Sequence, residues 1–73
     1  MVSKPGRNTA QRDRDRAAIR KTNAACHICG EPVDYTLVWP DSRCFVVDHI
    51  IPLARGGFDT RLNKAAAHNE CNS

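Results

Sequence analysis

Two pairs of metal-type residues constrain this chain more than anything else in it. Cys26 and Cys29 form a C-x-x-C near one end of the folded part, and His68 and Cys71 form an H-x-x-C near the other. Zn²⁺ takes four tetrahedral ligands from thiolate and imidazole, and two-residue gaps let each pair curl around one ion. An ion shared by Cys26, Cys29, His68 and Cys71 closes a loop holding everything between residues 29 and 68. A chain of 73 residues buries too little apolar surface to stand comfortably on its core alone, so a metal staple of this kind can supply part of its folding energy.

Other uses of the cysteines are weighed against this. "MVSKPGRNTAQ" has no apolar run that could serve as a signal peptide, and no segment is long or apolar enough to cross a membrane,. The expected location is therefore a cytosol, where thiols stay reduced and metal binding is favoured over disulfides. A lone C-x-x-C is shared with redox motifs, but these sit in a βαβ context that the sequence lacks. His27 and Cys44 are spare candidates. His27, inside the knuckle, is expected to point outward, and Cys44, at a strand start, reads as a small buried residue. With Cys44 in place of His68, the zinc would be held by four thiolates.

Along the chain, residues 1–11 read as a flexible tail and residues 12–22, rich in Arg and Ala with no Gly or Pro, as a short helix,. Ile19 is its only large apolar side chain, so the helix either leans on the domain or orders on a nucleic acid. "CHICGEPVDY" reads as a knuckle in which Gly30 permits positive φ. Residues 35–43 are irregular. "CFVVDHIIPL" is the strongest strand signal, dense in β-branched residues and stopped by Pro52,. A loop with a Gly56-Gly57 turn follows, suited to a hairpin or a close backbone approach. Asp59 or Thr60 then offers an N-cap to "RLNKAAAHNECN", whose alanines predict a helix carrying His68 and Cys71 on one face. The division is a basic tail with a short helix at 1–22 and a small α+β domain at 23–73.

The formal net charge of +3 is unevenly spread. Residues 1–22 hold seven Lys or Arg against Asp13 and Asp15, a local charge of +5, which leaves −2 for the rest. A basic arm before a mildly acidic domain suits a polyanion, since each cation near a phosphate releases condensed counterions. Arg16, Arg20 and Lys21 are the candidate nucleic-acid contacts there. The competing reading is a solvated tail.

Between the zinc pairs stands Asp48-His49. Consecutive strand residues face opposite sides, so one can hold a cation while the other handles a proton. A carboxylate is a hard donor of the kind Mg²⁺ prefers, and histidine can act as a general base. The plain alternative is an Asp capping the turn and a His bonded in a polar spot.

"CHICG", "VDHIIPLARGG", "LNKAAAH" and "CN", in this order over residues 26–72, resemble the HNH endonucleases, specifically the zinc-stabilised type of phage and bacterial genomes. The resemblance implies a ββα-metal (His-Me finger) fold, a two-stranded hairpin and a helix around one divalent ion, with zinc as a separate scaffold. It makes His49 the general base that activates water and Asn63 the residue that orients the hairpin loop and that base. Asp48 and Asn72 become ligands of a catalytic Mg²⁺ or Mn²⁺. Arg55, in the glycine loop, is a candidate phosphate contact. The implied activity is hydrolysis of phosphodiesters in double-stranded DNA, with little sequence preference, in the cytoplasm of a bacterial host cell and without any membrane. Family context points to phage DNA packaging or mobile-element work, with terminase or packaging proteins as partners. The alternatives are a zinc-dependent nucleic-acid-binding module that does not cut, and an inactive remnant.

Overall fold

In the computed structural model, residues 9–72 are described; of the tail expected at residues 1–11, the first eight lie outside them. The chain forms α1 (Thr9–Lys21), β1 (Phe45–His49), β2 (Lys64–His68) and α2 (Asn69–Asn72), with 3₁₀ turns at Leu53–Arg55 and Arg61–Asn63 between the strands. This is a small α+β fold with one two-stranded antiparallel sheet.

Helix α1 begins earlier than the composition suggests. Thr9, Ala10 and Gln11, expected in the tail, are its first turn, and Gln11 Nε2 donates to Asp15 Oδ1 (2.8 Å) one turn on. The helix ends where Asn23 takes a positive φ of 56°, a left-handed conformation that Asn tolerates better than most residues. Asp15 and Ile19, four positions apart and so on one face, are both buried. Ile19 packs with Phe45 and Ala66, and Ala24, Val33, Tyr35 and Val47 close around them. The helix therefore leans on the sheet and supplies part of the core. Tyr35 meets Phe45 at 4.9 Å between ring centroids and donates its hydroxyl to the Ala24 carbonyl (2.7 Å).

The helix expected over residues 61–72 is not formed. Lys64–His68 is a strand paired with β1, in a register that sets Phe45 opposite His68, Val47 opposite Ala66 and His49 opposite Lys64. Only Asn69–Asn72 is helical. Alanine's helical preference amounts to tenths of a kcal/mol per residue, less than burial and a full set of ladder bonds contribute. Ala66 and Ala67 are 2% and 0% exposed, and their small side chains let β1 and the knuckle close on the strand; His27 N–H donates to the Ala66 carbonyl (3.0 Å). The N-cap is also different: Thr60 makes no side-chain cap bond, and Asp59 is engaged elsewhere.

The loop between the strands is drawn tight at one point. A Cβ on Gly57 would lie 1.9 Å from the Ile51 carbonyl oxygen and 2.8 Å from Asn63 Nδ2, so only glycine fits. The Asn63 side chain spans this loop: Oδ1 accepts from Ile51 N–H (2.8 Å), and Nδ2 donates to the carbonyls of Ile51 (2.9 Å) and Phe58 (2.8 Å).

Candidate functional site

The knuckle and the end of β2 bring Cys26, Cys29, His68 and Cys71 together, with one ligand atom from each lying within 4.8 Å of all the others. The turn at the knuckle is set by Gly30, whose φ is 82° and whose N–H donates to the Cys26 carbonyl (2.8 Å). His68 closes β2 and Cys71 sits in α2. The three-residue spacing works across a strand-to-helix junction, not along one helix face as the alanines suggested.

The spacing, the histidine and the thiols of the cluster all suit Zn²⁺. Ligands about 2.0–2.3 Å from a tetrahedral ion stand about 3.3–3.8 Å apart, and the His68 Nδ1 gaps to Cys29 Sγ and Cys71 Sγ are 3.4 and 3.8 Å. His68 Nε2 lies 3.0 Å from the Pro32 carbonyl. A carbonyl only accepts, so Nε2 carries the proton and Nδ1 keeps its lone pair for the metal, the outer-sphere arrangement typical of ligating histidines. The thiols, thirdly, are unequal. Burial would raise Cys26, but backbone N–H groups of Cys29, His68 and Ile28 outweigh it and bring the thiol down to about 6. Cys71 is pushed up to about 11 by burial and by the neighbouring Cys29 and Cys26. Crowded thiols that resist ionising together are what a bound cation relieves. Cys44 is buried and separate from the cluster, as a small interior residue.

Asp48 and His49 occupy successive positions of β1 and find different partners. His27 Nε2 meets Asp48 Oδ2 at 2.6 Å, so His27, expected to point away, stands against the carboxylate. His49 Nε2 meets Asp59 Oδ1 at 2.8 Å. Among the described residues no hydrogen bond or ion pair joins Asp48 to Asn72, which is exposed in α2.

Asp59 belongs to a charged chain that starts inside the protein. Lys64 Nζ lies 2.8 Å from Asp15 Oδ2 and 3.1 Å from Asp59 Oδ1. Lys64 and Asp15 are 5% and 4% exposed. Burial acts against the Lys64 charge, but the two carboxylates outweigh it and hold the ammonium above its ordinary value. Asp59 is held below the usual carboxylate range by its bonds from His49 and then Lys64, and Asp15 chiefly by its bond from Lys64.

A cleft of about 410 Å³ runs between α1 and the sheet, lined by Arg12, Arg16, His49, Asp59 and Lys64 among others. It combines the histidine with arginines from the basic segment. Two of the four cations expected to meet nucleic acid are committed within the fold. The Arg16 guanidinium lies over the Phe45 ring, 4.7 Å from its centroid, and Arg20 lies over Tyr35 and donates to its carbonyl (2.8 Å). Lys21 ends α1 exposed, and Arg55 is exposed in the first 3₁₀ turn.

Arg12, Asp15, Asp59 and Lys64 are not legible in the sequence as site residues, and His27 is legible only as a spare zinc ligand. The one available signal was Asp15, placed four residues before Ile19 on the face that had to be buried. Asp59 was readable only as a cap, because nothing local ties it to a histidine ten positions earlier.

No described helix is long and apolar enough to cross a membrane. No match was found among curated proteins or among solved structures. The model of the HNH endonuclease family matches residues 26–73, the knuckle, both strands and the metal-type cluster included. On that match, which covers well over half of its length, this chain belongs to the HNH endonuclease family.

Proposed function

We propose that this protein is a metal-dependent endonuclease that hydrolyses phosphodiester bonds of double-stranded DNA. The observation that carries the reading is His49 bound to a carboxylate at the edge of a cleft that also presents Arg12 and Arg16. A protein that only bound DNA would need the arginines but not the oriented imidazole.

In this reading His49 takes the proton from the attacking water, and Asn63 keeps the loop after β1 in place through its three backbone bonds. Arg12, Arg55 and Lys21 meet phosphates, with the Arg16 and Arg20 guanidinium groups adding positive potential from their aromatic seats. Asp48 and Asn72 offer a carboxylate and an amide oxygen, hard donors suited to Mg²⁺ or Mn²⁺. When bound, such an ion offsets charge developing on the phosphate and on the leaving 3′-oxygen. Cys26, Cys29, His68 and Cys71 hold Zn²⁺ as scaffold. The setting is the cytoplasm of a bacterial host cell, with phage terminase or packaging proteins as partners.

The test incubates supercoiled plasmid with the zinc-loaded protein and Mg²⁺ or Mn²⁺, beside His49→Ala. Nicking by the wild type that is lost in the variant, with plasmid binding retained, supports the reading. Equal nicking by both, or plasmid binding with no nicking under either metal, replaces it with a non-cutting nucleic-acid-binding module.

A further inference from the structure

The buried ion pair of Asp15 and Lys64 needs an explanation that stability does not provide. Two opposite charges taken out of water recover their desolvation cost only in part, and a pair of apolar residues often serves stability as well or better. This domain has few large apolar side chains inside, yet it places an ammonium where one could stand. Both partners are 5% exposed or less, and both Asp15 oxygens are engaged, one by Lys64 and the other by Gln11.

The ammonium does have a third neighbour. Lys64 lies opposite His49 in the strand register, and its Nζ reaches Asp59 Oδ1, the same oxygen that meets His49 Nε2. Asp59 comes from the loop and is about half exposed, so a free side chain there would sample several rotamers. Anchored by a buried cation, its Oδ1 has one place to be. A carboxylate oxygen only accepts hydrogen bonds. The proton of neutral His49 must therefore sit on Nε2, leaving the lone pair on Nδ1.

We propose that Asp59 is a positioning residue for His49, fixing the ring's orientation and its Nε2–H tautomer, and that Lys64 and Asp15 form the strut that anchors Asp59 to α1. This rests on His49 being the base in the proposed hydrolysis. The strut explains why a helix outside the strand hairpin is tied to the sheet by a buried salt bridge as well as by Ile19. It also fixes which ring nitrogen is the base, namely Nδ1.

Two substitutions separate positioning from simple loss of charge. In Asp59→Asn the Lys64 ammonium, a donor only, holds the amide oxygen where the carboxylate oxygen was, so Nε2–H keeps its acceptor. In Asp59→Ala the acceptor is gone. Long-range ¹H–¹⁵N NMR of the zinc-loaded, DNA-free protein at alkaline pH reads the tautomer directly. A single Nε2–H form is expected in the wild type and in Asp59→Asn, and a mixture of both tautomers in Asp59→Ala. In plasmid nicking, Asp59→Ala lowers kcat on the order of 100-fold with KM little changed, as expected of a misplaced base, and Asp59→Asn recovers most of the rate. An unchanged His49 tautomer in Asp59→Ala overturns the proposal, as does equal loss of kcat in the two variants. If the wild type does not cut but the tautomers respond as expected, the endonuclease reading falls and the positioning role of Asp59 stands.

Discussion

Replacing Ile19 by alanine tests whether α1 belongs to the folded unit. Ile19 is 2% exposed and packs on Phe45 and Ala66. Truncation to alanine removes about three carbons, roughly 2.4 kcal/mol at about 0.8 kcal/mol per buried methylene. The cavity left behind raises the cost to about 3–4 kcal/mol, inside the usual range of about 2–5 for such a change. A domain of this length has a total stability of about 4–11 kcal/mol. The loss is therefore a large share of the whole, and at about 4–8 °C per kcal/mol it lowers Tm by roughly 12–32 °C. Leu62→Ala is the control: Leu62 is 90% exposed, and a substitution at such a position stays within about 0.5 kcal/mol. The assay is thermal unfolding of the zinc-loaded protein, followed by far-UV circular dichroism for the helix and near-UV for the Tyr35 and Phe45 cluster. Both signals should be lost together and early in Ile19→Ala. A melting point within a few degrees of Leu62→Ala, or loss of the helix signal with the aromatic signal intact, would refute the reasoning and make α1 an appendage.

Chelation of zinc should unfold the domain and re-addition should restore it, because Cys26, Cys29, His68 and Cys71 join the knuckle to the end of β2,; a circular dichroism spectrum unchanged on metal removal would contradict this. Asp15 and Asp59 are held below the ordinary carboxylate value of 3.8, so their contribution to stability is present above that value and lost as pH falls below it. Lys64 is held above 10.5, so its contribution is present below that value and lost as pH rises through the folded one. Thermal melts across pH should therefore show acid and alkaline limbs, and the Asp15→Leu, Lys64→Met double variant should flatten the alkaline limb and weaken the acid one, where Asp59 keeps its bond from His49; limbs identical to wild type would show that the cluster is not their source. Gly57→Ala should cost more stability than Gly56→Ala, although Gly56 has the positive φ of 93°: its added Cβ meets open space, whereas that of Gly57 runs into the Ile51 carbonyl. Equal melting points for the two would mean that the loop can open without loss.

What the sequence disclosed depended on how local each signal was. Metal-ligand spacing, the β-branched strand signal at 44–53 and the glycine turn at the knuckle are read from neighbouring residues, and each has its counterpart in the fold, although the strand itself stops at His49. Strand β2 was hidden because KAAAH has the composition of a helix, and only its pairing with β1 and the tight packing over Ala66 and Ala67 override that preference. The cleft and its charged chain were hidden for a similar reason. Asp15, His49, Asp59 and Lys64 span fifty residues of sequence, and α1, both strands and the loop between them must dock before all four meet. His27 reads in the sequence as a residue turned outward, yet the knuckle's bond to Ala66 brings it over the sheet to Asp48.

The Asn63 amide gives and receives a hydrogen bond with the same residue, Ile51, at 2.9 and 2.8 Å. That is the two-way exchange that a peptide group makes across a β-ladder, so the side chain acts as a surrogate piece of backbone and adds one rung beyond the sheet. Aspartate, of almost identical shape, would turn a second acceptor toward the Ile51 and Phe58 carbonyls and push the loop apart. A chain that kept this shape and catalysed nothing would require asparagine at position 63 all the same. Asparagine at 63 therefore reports on the fold, and the proposed hydrolysis rests instead on His49 and the carboxylate at 59 that meets it.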